Sequence, residues 1–234
     1  MVSAELQGLP TATAQELLLT AERLFAAHGL DGVSLRQIAV EAGSGNNSAV
    51  QYHFGSKEGL VEAIFSFRLG QLLQRRALLR ARLADDDLRG HVEAHVLPLL
   101  ELAESPDSCY VSFVEAVERA DTRLMTDQRE ALRARAELQA DMDRMLTHIP
   151  APARKLRIAQ AQSLCLHAAA ERERALRRGD AVLPFGLFVS GVVDGFAGFL
   201  GAPASAETVR HAASRTAATT PAAKRRANRN GGRG

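Results

Sequence analysis

The sequence predicts an all-α protein, with a small N-terminal helical bundle followed by a larger helical domain. Three observations carry this. Apolar residues recur at helical spacing along nearly the whole chain, and no alternating strand pattern appears. The composition is rich in Ala and Leu, with 46% hydrophobic residues and no Trp, which favours helices. Helix start and stop signals follow one another at short intervals. At 234 residues the chain is long enough for one or two domains with a substantial core.

The elements follow in order. Thr13-Ala-Gln-Glu16 has the form of a capping box. Leu17, Ala21, Leu24, Phe25 and His28 then repeat with a helical period until Gly29 ends the helix. Ser34-Leu-Arg-Gln37 is a second capping box, opening a short helix that stops at Gly43. A third helix is expected from Asn47 or Ser48 to Gly55, and Ser56 caps a fourth that runs into the low 80s. The acids at 85–87 suit a helix N-terminus, and that helix continues to about Glu104. Ser105-Pro106-Asp107 is another start signal, with proline tolerated in the first turn. It opens segments at roughly 107–119 and 122–148. His148-Ile-Pro-Ala-Pro-Ala breaks the chain ahead of two long helices, 153–178 and 183–200, split by Gly179.

Charge is unevenly placed. From Pro203 to Gly234 there are seven Lys/Arg and one acid, so this tail is +6 and the remainder of the +2 chain is −4. The tail has no apolar period and is expected to be disordered. Cys109 and Cys165 have no metal-ligand or redox spacing and read as buried thiols of a reducing compartment. The first ten residues lack a basic segment followed by an apolar run, so no secretory leader and a cytoplasmic location are expected.

Helices two and three are short and joined by a Gly-containing turn, the pattern of a helix-turn-helix. In that geometry the first helix crosses the phosphate backbone and the second enters the major groove. Leu35, Ile38, Ala39, Ala42 and Val50 suit the inner faces. Ser48, Gln51 and Tyr52 are left to face outward. The segment 13–65 resembles the DNA-binding domain of the TetR (tetracycline repressor-like) family. The resemblance rests on Phe25, Gly29, Val33-Ser-Leu-Arg-Gln-Ile-Ala39, Ala42-Gly43, Tyr52-His53-Phe54, Ser56-Lys57-Glu58 and Leu60. It implies a ligand-responsive DNA-binding regulator, a homodimer that binds an operator through its N-terminal domain. The C-terminal domain would bind a small molecule and dimerise. One departure stands out: Ala42 to Phe54 spans one residue more than the commonest family pattern, and the extra residue falls in the turn.

This reading divides the chain into an arm (1–10), a helix-turn-helix domain (11–55), a connecting helix (56–84), a ligand-binding and dimerisation domain (85–202) and the basic tail (203–234). The DNA-binding candidates are Arg36, Asn46, Asn47, Ser48, Gln51, Tyr52, His53 and Lys57. Gln51 could pair with an adenine edge. Arg36, Tyr52 and Lys57 are phosphate candidates, Lys57 at a helix start where the dipole also attracts phosphate. Asn46 and Asn47 could touch DNA, or shape and cap the turn. His53 is equally open between a structural role and a phosphate contact.

Within 183–200, Phe185, Phe188, Val189, Val192, Phe196, Phe199 and Leu200 form an apolar side beside a ridge of Gly191, Gly195 and Gly198. Asp194 and the short length argue against a membrane span. Interior glycines each cost a helix about 1 kcal/mol, which a close helix–helix seam would offset. The resemblance places the dimer interface here, on Phe188, Gly191, Val192, Gly195, Phe196 and Phe199. His91 and His95 stand one turn apart, a spacing compatible with a metal and equally with a cavity lining. No close third ligand is visible, so no metal is assigned. No cofactor is implied. No phosphate loop, triad or paired-acid pattern points to an enzyme. The alternatives are an architectural DNA-binding protein without ligand control, and a helical enzyme. The pocket residues and the ligand are not legible.

Overall fold

The structure, a computed structural model, describes residues 12–44, 48–120 and 129–218, which are helical with no strand among them. The expected Asn46 and Asn47 contacts lie outside the described residues. The helices are α1 (Ala12–His28), α2 (Leu35–Glu41), α3 (Ala49–Phe54), α4 (Lys57–Arg80), α5 (Leu88–Ala103), α6 (Tyr110–Ala120), α7 (Arg129–Met145), α8 (Ala151–Arg178), α9 (Phe185–Gly201) and α10 (Ala206–Ala218).

Local chemistry explains most boundaries. Ser34 and Ser56 accept backbone N–H bonds from Gln37 and Gly59, each at 3.1 Å, and so open α2 and α4. Asp87 accepts from Gly90 N at 2.8 Å and opens α5. Gly43 ends α2 at φ 68°, a left-handed conformation that costs glycine no Cβ clash. Thr13 is not the cap the sequence pattern suggested. Helix α1 is already running at Ala12, so Thr13 sits inside the first turn. His28, read as part of the apolar repeat, is exposed at the end of that helix.

The N-terminal bundle closes over Leu17, Leu18, Ala21, Phe25, Ile38, Ala39, Val50 and Leu60, all at most 2% exposed. Phe54 is half-buried at the edge of this core rather than inside it. Helix α4 leaves the bundle and packs along α5, which also packs against α8 and α9. Pro98 lies inside α5 and removes the N–H that would serve the Ala94 carbonyl.

The start of α6 departs from expectation. The Ser-Pro-Asp signal leads to helix only at Tyr110, because the first turn is capped from outside. Glu22 of α1 accepts from Cys109 N at 2.8 Å. Glu173 of α8 accepts from Val111 N and Ser112 N, both at 3.1 Å. Two carboxylates thus satisfy free N–H groups at the positive end of the helix. Glu22 also receives a bidentate pair from Arg68 of α4, at 2.8 and 2.9 Å.

The segment after Pro203 also differs from expectation. Residues 206–218 form α10, opened by Ser205, whose Oγ accepts from Thr208 N at 3.2 Å. A cap followed by an Ala-rich run suffices where no apolar period exists. Arg157 of α8 donates to the Leu200, Ala202 and Pro203 carbonyls and fixes the exit from α9. The rest of the expected basic tail, 219–234, lies outside the described residues. No single helix among the described residues is long and apolar enough to cross a membrane.

Candidate functional site: a nucleic-acid interface and a cavity behind it

Helix α3 presents its polar residues as one surface. Val50 is fully buried and holds α3 against α2, while Gln51 and Tyr52 on the same short helix are exposed, Tyr52 to 83%. His53 packs edge-on against the Tyr52 ring, centroids 5.1 Å apart, so its ring supports the tyrosine. Ser48, the N-cap residue of α3, is exposed and makes no side-chain cap bond. Arg36 is exposed on α2, with Ile38 and Ala39 turned inward.

Lys57 is used differently from a free phosphate clamp. Its ammonium donates to the Leu30 carbonyl at 2.9 Å and ties α4 to the loop after α1. An ammonium carries three donors, so contact with a phosphate requires the remaining ones. The N-terminus of α4 also holds Glu58. Its bond to its own backbone N–H, then one with Ser56, keep this carboxyl below its ordinary range. A phosphate approaching there meets an ionised acid.

Behind this domain, a cavity of about 200 Å³ lies between helices α4 to α9. Phe65, Leu69 and Leu72 line it from α4, and Val96, Leu99 and Tyr110 from α5 and α6. Its polar groups include Arg76, His95 and Gln162, with the Cys165 thiol at the wall. Burial, then the charges of Arg76 and Arg80, hold His95 well below the usual histidine range, so its ring is neutral. Burial likewise pushes Cys165 up to about 12 and Cys109 up to about 11.

The two histidines do not share one site. His95 faces the cavity, whereas buried His91 bonds the Ala84 carbonyl at 3.2 Å and lies 3.5 Å from Asp141. Among the described residues no group of three metal-ligating side chains converges.

Aromatic packing connects the cavity to the N-terminal bundle. Tyr110 and Phe65 in the wall both pack on Phe113, at 6.1 and 5.2 Å, and Phe113 packs on Phe25 of α1 at 6.2 Å. The Arg68–Glu22–Cys109 bridge runs beside this stack.

A second surface lies on α8 and α9. Gly191, Gly195 and Gly198 are exposed, and a Cβ added at any of them would meet nothing within 4 Å. Beside this ridge Leu187 is 59% exposed and Leu164 on α8 is 53% exposed, with Phe199 between the two helices. Val192 and Phe188 are half-buried. Phe196, expected on the same surface, is half-buried and lines the cavity, on the side of α9 that carries Val189, Val193 and Leu200.

Residues 17–64 match the family described as bacterial regulatory proteins, tetR family. That match covers the N-terminal domain of the chain, with α2 and α3 inside it. It is similar to the HTH-type transcriptional repressor AcnR of Corynebacterium glutamicum, with 28% identity over 147 residues, covering 60% of this chain and 73% of that protein. AcnR of Corynebacterium efficiens matches to the same extent. Among solved structures, AmtR of Mycobacterium smegmatis shares the fold with a TM-score of 0.59 at 20% identity, covering 90% of this chain and 97% of that one. A transcriptional regulator from Rhodococcus sp. Rha1 superposes with a TM-score of 0.58 at 21% identity, over 81% and 96% of the two chains.

Several residues that carry the geometry were not legible in sequence. Glu22, Arg68, Arg76 and Glu173 look like ordinary charged positions on helices. None of the four was singled out by a local pattern.

Proposed function

We propose that the chain is a homodimeric transcriptional repressor that leaves its operator when a small molecule fills the cavity between α4 and α9. The observation that carries this is α3. Its apolar side holds the helix-turn-helix together, and Gln51 and Tyr52 on its polar side are exposed, with no helix over them among the described residues. Gln51 reads a base edge, while Arg36 and Tyr52, braced by His53, position the helix on phosphates. Ser48 lies at the leading end of α3, where recognition helices meet bases. Lys57 contributes charge with the donors not spent on Leu30. The names of the curated relatives, both repressors, support the sign of regulation.

The glycine ridge of α9, with Phe188, Val192 and Phe199 beside it, is the seam to a second copy. An apolar, smooth ridge of this kind favours close helix packing rather than water, and a two-fold seam places two α3 helices for successive major grooves, about 34–36 Å apart. Effector binding acts through Tyr110 and Phe65. A molecule that prefers one position of α6 shifts the Phe113–Phe25 stack and the Glu22 bridge, and with them the angle of the N-terminal domain. A purely architectural DNA-binding protein has no use for such a cavity.

The test begins with selection of a binding duplex from a randomised library. Fluorescence anisotropy then follows wild type and Gln51→Ala on that duplex and on a scrambled one. Selection of a palindromic site, with Gln51→Ala losing affinity mainly for that site, is the expected result. Failure to enrich any sequence would overturn the proposal.

A further inference from the structure

Arg76 is the anomaly of the cavity. It projects from α4 into walls that are otherwise mostly hydrocarbon. Its Nη2 donates to the His95 carbonyl at 3.2 Å. Its Nε and Nη1 are shut off from solvent and have no hydrogen-bond partner among the described residues. Those two nitrogens carry three N–H donors. Three other arginines, buried Arg68 and Arg172 and the half-buried Arg80, are treated differently. Arg68 is paired with Glu22, Arg172 with Glu104, and Arg80 with Asp141 and Glu137. At Arg76 no carboxylate among the described residues lies within ion-pair distance, and unlike Arg157, which donates to three carbonyls, it has two nitrogens left unused.

A buried guanidinium without a counter-charge is costly, and the cost disappears if an anion arrives. Burial depresses the Arg76 pKa to about 10, with Glu137 offsetting it in part, so the group still carries its proton at neutral pH. His95 beside it is neutral and adds a polar contact without a second charge. The cavity volume of about 200 Å³ is below the ~300–1,000 Å³ of drug-sized sites, so the occupant is compact.

We propose that the cavity selects a compact, apolar monocarboxylate, its hydrocarbon body among Phe65, Leu72, Val96 and Leu99 and its head group on the Arg76 guanidinium. This deepens the effector reading and rests on it. Charge-assisted hydrogen bonds to the head group hold it in place, and shape limits the length of the body. Neutral molecules of the same shape leave the Arg76 donors unanswered, and amines add repulsion.

The test uses the full chain and three matched series: straight-chain monocarboxylates of graded length, the corresponding primary alcohols, and the corresponding primary amines. Isothermal titration calorimetry gives affinity, and melting with each compound gives an independent readout. Acids should bind about tenfold or more tighter than alcohols of equal length, as expected for charged hydrogen bonds, and amines should not bind. Arg76→Met fills similar space without charge; it should melt higher than wild type in the absence of compound and lose the preference for acids. Should that variant fail to fold, the wild-type ranking still decides. Alcohols binding as well as acids would mean that water alone satisfies Arg76, and would overturn the proposal, as would binding of none of the three series. Operator release is followed separately with the same compounds. Tight acid binding without release would leave the ligand class standing and remove the effector role. Release by a neutral compound that binds without Arg76 would do the reverse.

Discussion

Replacing Gly191, Gly195 and Gly198 together by alanine gives opposite outcomes for an isolated subunit and for a close dimer. None of the three has a positive φ, and a Cβ at each meets nothing within 4 Å in the subunit. Each alanine should therefore gain the usual helix advantage of about 1 kcal/mol, or about 3 kcal/mol for all three. For a chain of this size that corresponds to a rise in melting temperature of roughly 6–12 °C. If the ridge is instead pressed against its two-fold mate, the methyl groups occupy the space where the two backbones approach. The triple variant should then lose the dimer and melt lower than wild type at equal concentration. The wild-type melting temperature should rise with protein concentration, as linkage requires of a dimer. Sedimentation equilibrium with circular dichroism melts over a hundredfold concentration range reads both quantities. A triple variant that stays dimeric and melts higher would refute the reasoning, and the ridge would then face water.

Three further outcomes are expected. Glu22→Gln leaves buried Arg68 without its counter-charge, so urea unfolding should show a loss of about 3–5 kcal/mol, with Arg68→Met in the same chain restoring much of it; an unchanged midpoint would mean that the pair is solvated. Gln51→Ala should weaken the selected duplex by about 1–3 kcal/mol, whereas Arg36→Ala should weaken all sequences alike and lower the salt slope by about one unit. Both thiols are pushed up, Cys165 to about 12 and Cys109 to about 11, so they are protonated in the folded protein at pH 8. Iodoacetamide should then label neither until urea unfolds the chain, when the pKa returns to about 8.5; labelling of folded protein at the free-thiol rate would show that the core opens.

The sequence by itself determined the parts of this protein that local chemistry specifies. Capping serines at 34 and 56, the glycine stop at 43 and the apolar period of α1 each act within one or two turns, so α2, α3 and α4 were legible, and with them the outward placement of Gln51 and Tyr52. The α9 glycines were legible for a similar reason: repeated glycine in a helix opposes propensity and asks for a packing explanation. What only the tertiary structure decided lies in contacts between residues far apart in the chain. Glu22 and Glu173 reach the start of α6 from α1 and α8, over sequence separations of 87 and 62 residues, and no local pattern encodes such a meeting. Phe196 lines the cavity because the packing of α9 against α5 and α8 sets its rotation about its own axis, which the hydrophobic period leaves free by a fraction of a turn. Arg76 reads in sequence as one of many arginines on a long helix. Its meaning depends on which acids the fold brings near it, and folding brought acids to Arg68, Arg80 and Arg172 but left Arg76 to face the cavity.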